Sequence, residues 1–194
     1  MKKIAIFASG SGSNAENLIT RFASNRDMRV VSVFCNKQDA FVITRAKNLG
    51  IPSIVFAKKE LLETDNILNE LQSQGIDYII LAGFLLKIPE NLLLKYSDKI
   101  INIHPALLPN YGGKGMYGDN VHKAVIAAKE KESGITIHLV NEKYDDGKTL
   151  FQARCTISKD DTPESLAQKI HNLEHRFFPE VVEKYILEKE MEAV

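Results

Sequence analysis

Short apolar runs alternate with amphipathic segments along the first hundred residues of the chain. The run from Lys3 to Ala8 leads into a turn of small residues, after which Leu18, Ile19 and Phe22 recur at helical spacing. This pattern predicts a strand, a tight turn and a helix. Further strands are predicted at residues 30–35, 53–56, 78–82 and 99–104, and further helices at residues 40–49, 60–74 and 89–95.

The rhythm changes after His104. Residues 105–118 contain many turn formers and little periodicity, and a long loop beside a sheet end is usually functional. A helix at 122–129, two strands at 135–140 and 150–157, and a long helix opened by Thr162-Pro163 follow. The predicted fold is α/β: a Rossmann-like, mainly parallel sheet flanked by helices, with an antiparallel strand addition near the C-terminus and a long final helix.

Composition narrows the class of protein. The 194 residues suit one domain, and 25 Lys+Arg balance 25 Asp+Glu, so no broad basic surface for nucleic acid is expected. No apolar run approaches the roughly 20 residues that span a bilayer, and the N-terminus leads straight into a strand. Cys35 and Cys155 are far apart in apolar surroundings, which favours thiols over a disulfide. We expect an unprocessed cytoplasmic protein that acts on small molecules, with neither nucleic acid nor membrane as a partner.

The turn from Ser9 to Asn14 is the first candidate for chemistry. Small residues and glycines at a helix N-terminus present backbone N–H groups and the positive end of the helix dipole, which suit a phosphate. The spacing fits neither the dinucleotide fingerprint nor the lysine-bearing P-loop. A phosphorylated ligand and a plain tight turn both remain open.

Asn102 and His104 form the second candidate. They lie two apart on a predicted strand, so their side chains point to the same side. Histidine titrates near neutral pH and an asparagine amide can donate to a developing oxyanion, although both residues could equally satisfy backbone groups. Asp145 lies in Asp145-Asp146-Gly147, which is typical of a hairpin turn. If Asp145 reached His104, its charge would stabilise the imidazolium and raise the pKa of that histidine.

Taken in order, these motifs resemble the short, folate-dependent glycinamide ribonucleotide formyltransferases of purine synthesis, along nearly the whole chain. The resemblance is carried by Ser9–Asn14, Ala82–Phe84, Asn102–Pro109, Gly134–His138 and Asp145–Gly147. It implies transfer of the formyl group of 10-formyltetrahydrofolate to the amine of 5-phosphoribosylglycinamide, with no metal. It also implies one formyltransferase domain over residues 1–194, with an acceptor half to about residue 100 and a folate and catalytic half beyond. The sequence leaves a monomer and a homodimer both open.

The resemblance also assigns roles to residues. Asn102, His104 and Asp145 are the implied catalytic trio, in which Asp145 orients and charges His104. The resemblance implies that Gly12, Ser13 and Asn14 bind the acceptor phosphate. It implies that Glu174 binds the amine end of the acceptor. The implied folate contacts are Leu85, Leu86, Lys87, Ile88, Asn102, Val140 and Asp145. Lys114 and His122 are candidates for contacts near the phosphate or the folate glutamate, but such residues are more often solvated or structural.

Other interpretations remain. Methionyl-tRNA and sugar-nucleotide formyltransferases and formyltetrahydrofolate hydrolases share the Asn-x-His and Asp elements, but they carry an added domain for which this chain has no room. A non-catalytic nucleotide-binding module, in which Asn102 and His104 are structural, is the alternative from another class. His171 and His175 are one helical turn apart and could in principle chelate a metal, although a helix-face position is favoured.

Overall fold

The structure, a computed structural model, describes residues 1–192, in which strands and helices alternate except at one pair of consecutive helices and one pair of consecutive strands. The strands are β1 (Lys2–Ala8), β2 (Met28–Cys35), β3 (Ser53–Val55), β4 (Tyr78–Leu81), β5 (Ile100–His104), β6 (Glu132–Leu139) and β7 (Thr149–Thr156). The helices are α1 (Ser13–Phe22), α2 (Phe41–Asn48), α3 (Lys58–Glu63), α4 (Asn66–Ser73), α5 (Glu90–Lys95), α6 (Asp119–Ala127) and α7 (Pro163–Glu192). The strands follow the order β3-β2-β1-β4-β5-β6-β7 in one sheet.

Two compact units divide the chain, Met1–Ile101 and a second that begins at Asn102. In the first unit, β1 pairs in parallel with β2 and β4, and β2 with β3. The apolar residues of β1 and β4 are buried, as expected of strands covered on both faces. Phe7 of β1 stacks on Phe34 of β2 with ring centroids 4.9 Å apart. The predicted parallel α/β arrangement is confirmed in this unit.

The single helix predicted over residues 60–74 is wrong. The structure has two helices there, α3 and α4, separated by Thr64 in an extended conformation. The Thr64 hydroxyl donates to the Glu60 carbonyl at 2.7 Å and accepts from the Asn66 N–H at 3.2 Å. Threonine side chains of this kind compete with the helical backbone, so one residue ends the first helix and starts the second.

In the second unit, β6 and β7 pair antiparallel, with an irregularity at Ile137/His138. The long helix α7 begins where it was predicted: Thr162 N–H donates to Ser165 Oγ at 2.9 Å, and Ser165 N–H donates to Thr162 Oγ1 at 3.2 Å. These findings confirm the antiparallel strand addition and the long final helix. Between residues 1 and 192, no helix is long and apolar enough to cross a membrane.

Candidate active site

The small-residue turn of the first unit is held rigidly at the start of α1. Gly12 caps that helix with a φ of 77°, and a Cβ at this position would come within 2.4 Å of Val42 Cγ2. Arg45 Nε donates to the Ser11 carbonyl at 2.9 Å and the Val42 N–H donates to the Gly10 carbonyl at 3.1 Å. The glycine at position 12 is therefore explained by packing against α2. The positive end of the α1 dipole lies at Ser13 and Asn14, which suits an anion.

The segment predicted to contact folate follows β4 in the same unit. Leu85 is exposed, Leu86 is half-buried, Lys87 is exposed and Ile88 is buried. The Leu85 N–H donates to Ser9 Oγ at 3.1 Å, and the Ser9 hydroxyl donates to Asn36 Oδ1 at 2.6 Å. Ser9 thus connects this segment to the end of β1. The exposed Leu85 side chain gives this mostly apolar segment a surface on which an apolar ring could pack.

The second unit brings the predicted trio into one cluster. His104 Nδ1 lies 3.6 Å from Asp145 Oδ2, and both side chains are largely buried. Asn102 and His104 belong to the same strand, β5, while Asp145 lies in the loop between β6 and β7. Asp145 is both a turn residue with a φ of 54° and a neighbour of His104. Its catalytic role stays a prediction, but the distance on which that role depends is short.

Backbone groups of the loop after β5 complete the surroundings of His104 and Asp145. His104 Nε2 donates to the Tyr111 carbonyl at 2.8 Å, and the Gly113 N–H donates to Asp145 Oδ2 at 2.9 Å. Tyr111 has a φ of 58°, which is uncommon for a bulky residue and marks local strain. Gly112 lies between Tyr111 and Gly113 in this loop. A Cβ at position 112 would lie 2.6 Å from Leu108 Cδ2, so the packing here favours glycine.

Thr136 of β6 anchors the start of that loop. Its hydroxyl donates to the Ala106 carbonyl at 2.7 Å and accepts from the Leu108 N–H at 3.0 Å. Gln152 Nε2 of β7 reaches both Thr136 Oγ1 and the Leu108 carbonyl, at 2.9 and 3.0 Å. The peptide between Leu108 and Pro109 is cis. The chain after His104 is therefore tied to β6 and β7.

The electrostatics of the cluster differ from the expectation for His104. Burial lowers the pKa of His104 below its ordinary value, although the Asp145 charge and the Tyr111 carbonyl act to raise it. The expected effect of the Asp145 charge is present, since it acts to raise that pKa, but the loss of hydration outweighs it and the net direction is downward. Burial acts to raise the pKa of Asp145, but its contacts with His138, His104 and the Gly113 N–H hold it below the usual value. At neutral pH, both directions favour a neutral imidazole beside a carboxylate.

Glu174 lies on α7, away in sequence from the trio. Its Oε2 is 3.8 Å from His171 Nδ1, and its side chain is largely buried. The rings of His171 and His175 make an edge-on contact with centroids 4.6 Å apart. Within residues 1–192, no cluster of three His, Cys, Asp or Glu side chains could hold a metal ion.

Lys114 and His122 occupy different environments. Lys114 is exposed in the glycine-rich loop, whereas His122 is buried on α6 and its Nδ1 has no hydrogen-bond partner among the described residues. Burial lowers the pKa of His122 below its ordinary value. The structure gives His122 a helix-face position in the packing of α6, and assigns no ligand to Lys114.

Comparison with known proteins decides the family. The sequence profile of the formyl transferase family matches residues 2–182. The chain belongs to the formyl transferase family. It is 41% identical over 189 residues to the chloroplastic phosphoribosylglycinamide formyltransferase of Arabidopsis thaliana, which covers 93% of this chain and 64% of that protein. It is 38% identical over 191 residues to the phosphoribosylglycinamide formyltransferase of Bacillus subtilis, covering 96% of this chain and 95% of that protein.

A solved structure agrees with the sequence relatives. The crystal structure of phosphoribosylglycinamide formyltransferase from Streptococcus pneumoniae matches this formyl transferase with a TM-score of 0.84 at 36% identity, covering 96% of this chain and 99% of that one. The family resemblance and the predicted fold are thereby confirmed. This chain spans less than two thirds of the Arabidopsis protein, 64% of its length.

Sequence reasoning missed one side chain of this formyl transferase site. His138 of β6 lies 3.0 Å from the Asn102 amide nitrogen through its Nε2, and the same Nε2 lies 3.6 Å from Asp145 Oδ1. In the sequence, His138 enters only as the last residue of Gly134–His138, a segment that carries the family resemblance, and has no role of its own. Its position two residues after Thr136 on a buried strand, facing the same side, was the available signal.

Proposed function

We propose that this chain transfers the formyl group of 10-formyltetrahydrofolate to the amine of 5-phosphoribosylglycinamide, giving formylglycinamide ribonucleotide and tetrahydrofolate in purine biosynthesis. The observation that carries the proposal is the 3.6 Å contact between His104 Nδ1 and Asp145 Oδ2, beside Asn102, in a formyl transferase chain. The printed names of the Arabidopsis and Bacillus relatives support this choice of acceptor. The whole chain is one functional domain in this proposal, and it acts in the cytoplasm on small molecules.

The residues divide the work by their chemistry. The start of α1 at Gly12, Ser13 and Asn14 holds the acceptor phosphate through backbone N–H groups and the helix dipole. Glu174 holds the amine end of the acceptor through its negative charge. The folate contacts are Leu85–Ile88, Val140 and the trio, and the bound folate supplies the formyl carbon that the amine attacks.

Proton bookkeeping gives His104 a specific task. The attacking amine loses one proton and the nitrogen that leaves gains one, so no net proton is consumed. Because Nε2–H of a neutral His104 donates to the Tyr111 carbonyl, Nδ1 takes the first proton as the general base and returns it as the general acid. Asp145 stabilises the imidazolium that exists between the two steps, and the Asn102 amide donates to the oxyanion on the formyl oxygen. A lowered pKa of His104 suits this sequence because it keeps the histidine neutral at the start.

A direct assay tests the proposal. Purified protein is mixed with 10-formyltetrahydrofolate and 5-phosphoribosylglycinamide, and the folate absorbance is followed, with His104→Ala as the comparison. We expect turnover that depends on the acceptor and falls at least about 100-fold in the variant, the usual scale of a lost acid–base group. Absence of turnover, or turnover that His104→Ala leaves unchanged, would refute the catalytic assignment and favour a binding module. Release of formate without acceptor would instead indicate a hydrolase.

A further inference from the structure

The hydrogen bonds of His138 fix the position of its ring proton. His138 is buried on β6, and its Nδ1 lies 2.8 Å from the Leu139 carbonyl oxygen. A carbonyl oxygen can only accept, so Nδ1 must carry a hydrogen. In a neutral imidazole the other nitrogen, Nε2, then has a lone pair and can only accept.

The acceptor at Nε2 in turn fixes the Asn102 carboxamide. The Asn102 Nδ2 lies 3.0 Å from His138 Nε2. A flipped amide would place its carbonyl oxygen against the lone pair, with no hydrogen between the two atoms. The oxygen and nitrogen of a carboxamide have nearly the same shape, so the hydrogen-bonding neighbours decide which of the two atoms faces which way. His138 therefore selects the rotamer in which the amide nitrogen of Asn102 faces it.

The other neighbour of Nε2 does not compete for this bond. Asp145 Oδ1 lies 3.6 Å from Nε2, which is too long for a hydrogen bond. Asp145 Oδ2 already accepts the Gly113 N–H at 2.9 Å. The shift in the pairing of β6 with β7 falls at Ile137/His138, and such irregularities commonly re-aim a side chain near a site.

We infer that His138, with its Nδ1 hydrogen held by the Leu139 carbonyl, is a positioning residue that orients the Asn102 carboxamide and leaves its second N–H to donate to the oxyanion. The inference rests on the proposed formyl transfer, because the oxyanion in question forms on the formyl oxygen in that reaction. An amide nitrogen has two hydrogens, and His138 uses one of them. The donor that stabilises the transition state is then held in place before substrate binds.

Two substitutions of His138 separate this role from a packing role. In His138→Gln the longer side chain places its amide oxygen near the former Nε2, so an acceptor for Asn102 is kept. In His138→Asn the shorter side chain reaches only the former Nδ1 position, so it can replace the Leu139 contact but not the Asn102 contact. We expect His138→Asn to lower kcat about 10- to 100-fold with little change in the KM of either substrate, and His138→Gln to restore most of the rate.

The Asn102→Ala background supplies a second readout. If His138 acts through Asn102, His138→Asn should cause almost no further loss of kcat in Asn102→Ala protein, so the two effects should be far from additive. Full additivity, or equal kcat for the Asn and Gln variants of His138, would overturn the inference. Thermal unfolding of each variant identifies losses that come from failed folding.

A measurement without turnover keeps the inference separate from the proposed function. In ¹⁵N-labelled wild-type protein at neutral pH, the ring nitrogens of His138 should give one protonated signal, at Nδ1, and one unprotonated signal, at Nε2. Protonation of both nitrogens, or of Nε2 alone, would overturn the inference even in an active enzyme. A wild-type protein that shows the expected tautomer but transfers no formyl group would refute the proposed function instead.

Discussion

Replacing Asp145 by asparagine tests the electrostatic part of the mechanism most directly. The variant keeps the shape of the side chain, its oxygen can still accept the Gly113 N–H, and asparagine tolerates the φ of 54° at this position. It removes the negative charge 3.6 Å from His104 Nδ1 and places an NH2 group at the Oδ1 position beside His138. At that distance, Coulomb's law gives about 1 kcal/mol in a water-like dielectric and about 5 kcal/mol at an effective dielectric constant of about 20.

The burial of both side chains places the effect between these limits. The side chains of His104 and Asp145 are 5% and 13% exposed, so water screens the pair only partly. Because about 1.4 kcal/mol corresponds to a tenfold change in rate, we expect kcat to fall about 10- to 1000-fold, with the KM of the acceptor nearly unchanged. Asp146→Asn is the matched control: it removes the same charge one residue along, from an exposed pair with Lys143 at 3.7 Å, and should change kcat less than about twofold.

The dependence of kcat on pH, measured for wild type and for Asp145→Asn, shows whether His104 starts the reaction neutral or protonated. If His104 starts as a neutral base, kcat rises with pH through the lowered pKa of His104 and, once the acceptor amine (pKa about 8) is also neutral, stays level above it. Without the Asp145 charge that supports the imidazolium, the low-pH limb should move to lower pH in Asp145→Asn. A fall of kcat in wild type as the pH rises through the lowered pKa of His104 would show that His104 must be protonated at the start, and the shuttle would be refuted.

Substitutions of Gly12 and Gly147 test the packing around the two sites, with Gly50 and Gly10 as their controls. Gly12→Ala should lower the free energy of unfolding in urea by more than about 2 kcal/mol, since it adds a Cβ 2.4 Å from Val42 Cγ2 to the strain of a φ of 77°. Gly50→Ala, with a φ of 71° and open space around its Cβ, should show the strain alone, and equal losses in the two variants would contradict the packing argument. Gly147→Ala should reduce kcat as well as stability, because its Cβ would lie 1.7 Å from the Leu139 carbonyl oxygen and displace the loop that carries Asp145. Gly10→Ala is the control. Its Cβ meets nothing within 4 Å, so its free energy of unfolding should stay within about 1 kcal/mol of wild type.

Much of the fold could be predicted because its signals are local. Apolar runs marked the strands, and Thr162-Pro163 marked the start of α7, where the hydroxyl and backbone groups of Thr162 and Ser165 bond to each other within four residues. The break at Thr64 was missed although it is also local. Apolar residues at helical spacing, Leu61, Leu68 and Leu71, continue across it, so periodicity alone predicts one helix.

From the sequence pattern alone, only those site residues that lie on one strand could be placed together. Residues two apart on a strand share a side, so Asn102 and His104 could be paired from sequence. The approach of Asp145 to His104 spans 41 residues of chain and came from family resemblance rather than from spacing. The strained backbone of Tyr111, whose carbonyl accepts from His104, has no sequence signal, because a tyrosine with a positive φ is held there by the surrounding structure.

The protonation state of His104 shows why the sum of two opposing effects matters more than either. A carboxylate partner suggests a raised pKa, and burial suggests a lowered one; sequence reveals the first and hides the second. A shuttle needs both, since burial keeps the imidazole neutral before reaction while the carboxylate supports the charge it carries during reaction. A shorter hydrogen bond to Asp145 would hold the proton on His104 and slow its return. The 3.6 Å contact, with Asp145 Oδ2 already bonded to Gly113, supports the imidazolium without trapping it.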